Sequence, residues 1–473
     1  MSKKYGWLLA LLAGWLVLPL AAQSPSVPQG ESAAATELER LVDTALALRT
    51  GLESLSREKQ PEQWQVTQQR LGDLLGEAAA YLGGAARVQT LRQAIAAYRE
   101  ALKVLDSARQ PQEWSIASYN LGRLHLELAE MLEGEAAAAE LRSAIAALEP
   151  LPKFFSSSHG MLRAASLSLQ GEALLGLGGL MAGDEARLRI ERAAQVFTEA
   201  EAAVPAGAAP VHRGMAIHGR ARATAELAAR QPAGATAATR DQAIAAFEEA
   251  ARIFTREQDP ELFVSIQQEL GILRLQKAVA LRGPESVAPA TAAAASFRQA
   301  LGLVTRDANP ELWGSLQGGL GAALLRAGKS SPAEDGGAPS QLEASAAAFE
   351  NLLAVLPREK DPQAWAQTQH NLGTALREVG TRRPGADGEA PLRRSIAAYR
   401  SALEVITRAQ DEAAWAESQF NLVLAMHELA RRLETAEASA LLEESITLME
   451  EAKPVLDRLG TAGGTVDGTV DGS

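Results

Sequence analysis

Apolar residues recur along this chain in two alternating helical patterns. In the first, Trp64, Leu71, Leu74 and Leu75 fall on one stripe. In the second, Leu91, Ala94, Ile95, Tyr98, Ala101, Leu102 and Leu105 follow one another at helical spacing. That period belongs to an α-helix with one buried face. Pro61, Pro111, Pro260, Pro310 and Pro362 stand where the first turn of a helix needs no backbone N–H. Breakers at Gly83-Gly84, Gly283-Pro284, 328–339 and Pro384-Gly385 interrupt the pattern. The alternation predicts a helix A at about 61–82 and a helix B at about 88–108, with the pair repeated downstream.

The pair repeats because its anchors do. Trp64, Trp114, Phe263, Trp313 and Trp365 are each followed eight residues later by a glycine: Gly72, Gly122, Gly271, Gly321 and Gly373. Trp415 opens a last copy, with Val423 in the glycine place. Neighbouring anchors are 50 or 52 residues apart, except for one gap of 149 that fits two diverged copies. The B helices carry their own series: Tyr98, Leu148, Phe197, Phe247, Phe297, Phe349, Tyr399 and Met449. Fifty residues before Tyr98 lies Leu48, so the array opens with a helix B that lacks its helix A.

Repetition on this scale predicts an all-α fold, an α-solenoid. It is expected as a right-handed superhelix of about eight antiparallel helix pairs plus an N-terminal half-repeat. The array should fill 36–459, with repeats near 61–108, 111–156, 159–203, 209–257, 260–307, 310–357, 361–409 and 411–459. The glycine marks the closest approach of A and B, and the tryptophans read as a packing seam between repeats. Counting from Gly171 and Gly219 puts Arg163 and Val211 in the anchor place of the two central copies. Either smaller residues repack the seam there, or the region is a hinge that exposes Phe154-Phe155 to a partner.

Length and charge narrow the picture. A chain of 473 residues exceeds one ordinary core but suits an array that grows end to end. A net charge of −12 disfavours nucleic acid, whose phosphates call for a basic surface. The absence of cysteine removes disulfides, thiolate metal sites and a thiol nucleophile. Lys3 and Lys4 precede an apolar run from Trp7 to Leu20, then Ala21 and Ala22. This layout predicts a signal peptide at 1–22 and a periplasmic or secreted protein; the alternative is an uncleaved N-terminal anchor. No membrane span is expected after signal removal. The segment 23–35 reads as a flexible linker and 460–473 as a disordered tail.

The motif residues carry a resemblance. Tyr119-Asn120-Leu121-Gly122 and His370-Asn371-Leu372-Gly373 on A helices resemble the first-helix signature of the tetratricopeptide repeat. Ala94, Tyr98 and Ala101, and Ala243, Phe247 and Ala250, match its second-helix signature. The resemblance covers about 38–459, with a repeat near 50 residues where the family has about 34. It implies a concave face lined by the A helices that binds a peptide or protein segment. The residues it points to are Asn120, Asn371 and Asn421, with Arg70 at the equivalent place in the first copy. Around them lie Tyr119, Arg123, Arg220, His370, Arg377, Phe420 and His427, the arginines being candidates to meet an acidic ligand.

The chain carries no recognisable catalytic or metal-binding motif. The six histidines, among them His125, His159 and His212, form no metal-binding pair at helical spacing. No nucleotide loop or nucleophile elbow stands before a strand, because no strand is predicted. The expectation is a non-enzymatic interaction scaffold with no cofactor, no metal and no nucleic-acid partner. The alternative is a structural spacer in a cell-envelope assembly.

Overall fold

The computed structural model describes residues 31–155, 159–231, 233–331, 338–434 and 436–462. The expected leader at 1–22 lies outside these, as does the expected tail at 460–473 except for residues 460–462, which continue the last helix. Among the described residues there are seventeen α-helices and no strand. Helix α1 (Glu31–Ser54) stands alone. Eight A–B pairs follow: α2/α3 (Pro61–Ala79, Gly84–Leu102), α4/α5 (Pro111–Glu130, Gly134–Leu148), α6/α7 (Gly160–Leu180, Gly183–Ala203) and α8/α9 (Pro210–Arg230, Ala233–Ile253). Then come α10/α11 (Pro260–Ala280, Val287–Leu301), α12/α13 (Pro310–Ser330, Ala338–Leu353), α14/α15 (Pro362–Arg382, Glu389–Leu403) and α16/α17 (Glu412–Ala430, Ala436–Ala462). They group into two compact units, the first ending at Ile253 and the second beginning at Phe254. Because α1 begins at Glu31, residues 31–35, expected in the linker, are helical.

Local chemistry sets these boundaries. Proline occupies the first turn of α2, α4, α8, α10, α12 and α14. In the later repeats Asp259, Asn309, Asp361 and Asp411 cap the A helix by accepting the N–H three residues on. The A-to-B turn is tighter than the pattern suggested, so B starts at Gly84 and not near 88. Gly84 has φ 52° and Gly183 has φ 72°, a left-handed conformation that costs glycine nothing. Helix B ends early, at Leu102, where the chain turns and Asp106 accepts from the N–H of Ala108.

The pairs are antiparallel. Along α6, Gly160 lies against Ala203 and Pro205, Gly171 against Phe197 and Gly178 against Ile190. The core of each repeat is the B aromatic set against the A glycine. A Cβ on Gly72 would stand 2.6 Å from the Tyr98 ring, and one on Gly373 2.9 Å from Tyr399. Tyr98, Phe197, Phe247, Phe349 and Tyr399 are the largest fully buried side chains with Phe254. The tryptophans Trp64, Trp114, Trp313, Trp365 and Trp415 are half-buried, and Trp365 and Trp415 of successive repeats pack against one buried cluster of Ala366, Ala402 and Ile406. They sit at the start of helix A, beside the B-to-A turn. There Arg358 covers the Trp365 ring at 5.0 Å and Arg408 covers Trp415 at 5.5 Å.

Within each unit every helix packs on the next. A helices also touch the A helix of the following repeat: α4 with α6 and α6 with α8 in the first unit, α10 with α12, α12 with α14 and α14 with α16 in the second. The B helices do not pack on one another to a comparable extent. The A helices therefore form the tighter row of each unit.

Candidate functional site

The register of the central repeats decides which residues belong to the A-row surface. Gly219 does not face the aromatic of its own repeat. Its missing Cβ faces Phe197, one repeat earlier, just as Gly319 faces Phe297 at 2.5 Å. Gly319 lies two residues before Gly321, which faces Phe349 of its own pair. The glycine-equivalent of α8 is therefore Ala221, fully buried, at the same distance from Pro210 as Gly271 is from Pro260. This corrects the sequence register by two residues: Arg213, not Val211, stands in the anchor place. The intervals between successive frame residues become 49, 50 or 52 throughout.

In this register the position after the frame residue reads Asp73, Arg123, Glu172, Arg222 along the first unit and Ile272, Ala322, Thr374, Leu424 along the second. At this one position, charges of alternating sign run along the first unit and uncharged residues along the second. Glu172 and Arg222, one repeat apart, meet at 2.9 and 3.0 Å with 15% of each side chain exposed. Arg123 pairs with buried Glu127 on its own helix. Burial, helped by the carboxylates of Glu127 and Glu172, pushes Glu130 up to about 7. The ladder escaped sequence reading because the shifted register hid Arg222.

The candidates taken from the resemblance part company here. Asn120, Tyr119 and Arg123 do come together on α4, beside Tyr98 and Asp73. Asn120 donates to the Tyr98 hydroxyl at 2.8 Å, and that hydroxyl donates to Asp73. The asparagine thus ties one repeat to the next through the buried tyrosine. Tyr119 is buried, its hydroxyl has no hydrogen-bond partner among the described residues, and burial raises it to about 12. On α14, buried His370 stacks edge-on against Tyr399 at 5.4 Å, and its Nδ1 lies 2.8 Å from the Ser418 hydroxyl of α16. Burial lowers its pKa, with Glu417 opposing, so the ring is a neutral packing group. His218 holds the same place on α8, edge-on to Phe247 at 5.8 Å, and burial pushes it down to about 3.

Asn371 takes a 3.4 Å hydrogen bond from Gln367 and is half-buried, as are Phe420 and Asn421 on the neighbouring α16. Arg70 is exposed. His427 Nε2 lies 2.8 Å from the Ser445 hydroxyl of α17, which ties A to B. Arg377 is paired with Glu378 at 2.9 Å. Arg220 leaves the A-row surface altogether: it turns to the B helices and meets Glu249 at 3.1 Å and Glu201 at 3.3 Å. Arg123, Arg220 and Arg377, the candidates to meet an acidic ligand, are each paired with a carboxylate of the chain itself. Among the described residues no group of three or more His, Asp or Glu is arranged to hold a metal ion. No helix among them is long and apolar enough to cross a membrane.

Solved structures of helical repeat proteins resemble this array. The Cut9–Hcn1 hetero-tetramer of the APC/C is 17% identical over 87% of this chain and 74% of that one, with a TM-score of 0.29. A signal-transduction ATPase with a tetratricopeptide repeat sensor from Pyrococcus horikoshii is 10% identical over 85% of this chain and 55% of that one, with a TM-score of 0.39. A circular tandem repeat protein is 16% identical over 96% and 98% of the two chains, with a TM-score of 0.23. No protein-family model and no curated protein sequence matches the chain. The fold accordingly rests on the chain's own helices, and its function on the surfaces they form.

Proposed function

We propose that this protein is a non-enzymatic interaction scaffold that binds an extended protein segment along the A row of its first unit. The observation that carries this is the charged ladder. Its arginines are internally paired, whereas Asp73 is exposed and Glu130 forms no ion pair among the described residues. With Asp73 ionised and Glu130 titrating at about 7, the row carries a small surplus of negative charge that grows above neutral pH, and a basic segment complements it. The net charge of −12 adds long-range attraction of the same sign. The segment 1–22 supports a site of action outside the cytoplasm, periplasmic or secreted.

The test is retention of peptides of opposite charge by the full-length protein at several salt concentrations. Lysine- and arginine-rich segments should bind, and binding should weaken as salt rises. Glu130→Lys should reduce it at least tenfold. Glu444→Lys, on a B helix, should not. Equal loss from both variants, or retention of acidic segments alone, overturns the reading.

A further inference from the structure

The position before the frame residue is leucine in six repeats: Leu71, Leu121, Leu270, Leu320, Leu372 and Leu422, all buried. In the two central repeats it is Gln170 and Arg220. Arg220 finds Glu201 and Glu249. Gln170 finds nothing: it is 4% exposed and forms no hydrogen bond to any described residue. Its amide atoms are not among the sealed, unpaired polar atoms of the protein, so the little surface it keeps faces open space.

Gln170 lines a cleft of about 390 Å³. The floor is Leu167 and Gln170 of α6. The walls are Glu149, Pro150, Pro152 and Lys153 after α5, and Arg192 and Glu199 of α7. The cleft opens between successive B helices, away from the A-row surface. Arg192 and Glu199 satisfy each other at 2.8 Å. Glu149 and Lys153 form no ion pair among the described residues. The lining thus offers one carboxylate, one ammonium and one amide around a small apolar floor, with two charges of each sign and no net charge. Such a site repels neither pole of a zwitterion and gives no net attraction to a simple anion or cation. Its volume is at the low end of the range of about 300–1,000 Å³ typical of small-molecule sites.

We propose that this cleft binds a small zwitterion of amino-acid or dipeptide size. Its ammonium faces Glu149, its carboxylate faces Lys153, and its remaining polar group takes the Gln170 amide. The site is independent of the peptide-binding reading of the A row. The test is isothermal titration of the full-length protein with the free proteinogenic amino acids and a set of dipeptides, then with N-acetylated and C-amidated forms of whatever binds. One or more unblocked compounds should bind with one site per chain, and either block should weaken binding at least tenfold. Gln170→Leu installs the residue that six other repeats carry; it should abolish binding while the melting temperature holds or rises. Lys153→Ala, at an exposed position, should weaken binding at least tenfold in a folded protein. No binding by any compound, equal binding of blocked forms, or undiminished binding by Gln170→Leu overturns the proposal.

Discussion

At the scale of single residues, the contact that organises each repeat is a missing side chain under a buried ring. Gly373 and Tyr399 show what it costs to disturb. A methyl group on Gly373 would stand 2.9 Å from the ring, which has no room to retreat because Tyr399 is fully buried and its hydroxyl donates to Thr374 at 2.9 Å. Gly373→Ala should therefore destabilise the second unit by about 1–3 kcal/mol in urea denaturation. Gly51→Ala, where nothing lies within 4 Å, should be neutral or stabilising by up to about 1 kcal/mol. Sequence reading recognised that such glycines bring helices together. It could not tell Gly219 from its neighbour Ala221, because both are small and only the position of Phe197 distinguishes them. That ambiguity carried Arg220 onto the wrong surface and hid Arg222. Titration gives a second handle at this scale. Burial raises Glu130 from 4.5 to about 7, so its carboxyl ionises first in the unfolded chain. Its contribution is full below about pH 4.5 and is lost as pH climbs through 7. Glu130→Gln should raise the melting temperature of the first unit at pH 8 and leave it near that of wild type at pH 4.

At the scale of the helix, starts were legible and ends were not. Proline at the first turn and Asp, Asn or their absence before it are written in local chemistry, and the A helices begin where those residues stand. Helix ends depend on how the chain turns back: Gly84 shortens the A-to-B connection, whereas the turn at Asp106 ends helix B early and lengthens the B-to-A connection. The caps differ along the array: Asp361 accepts from the N–H of Ala364 at 3.0 Å, whereas Gln60 and Gln110 cap nothing with their side chains. Asp361→Ala should cost about 1 kcal/mol, measured as the shift in the urea midpoint of the second unit. The tryptophan just inside each start reads from its size and period as a seam between repeats. Its place near the helix N-terminus leaves it at the edge, under an arginine in two repeats, and the B aromatic takes the centre.

At the scale of the whole molecule, each unit is held by neighbour-to-neighbour packing, so interactions one repeat apart matter most. Glu172 and Arg222 are such a pair. Reversing either charge alone should lower the stability of the first unit by about 1–3 kcal/mol, and exchanging them should recover most of the loss in a double-mutant cycle. Repetition, helix content and the half-repeat at the start could all be read from periodicity. The difference between the units at the position after the frame residue could not, because it emerges only when positions fifty residues apart are aligned to within one residue. The leucine slot has a mechanical corollary. A linear stack is only as strong as its weakest joint, and Gln170 and Arg220 replace hydrocarbon at two consecutive joints of the first unit. That unit should begin to come apart at those joints and not at its start, with amide protons of α6 to α8 exchanging before those of α4 and α5. In a thread of otherwise like beads, the composition of one recurring position then sets where the thread yields.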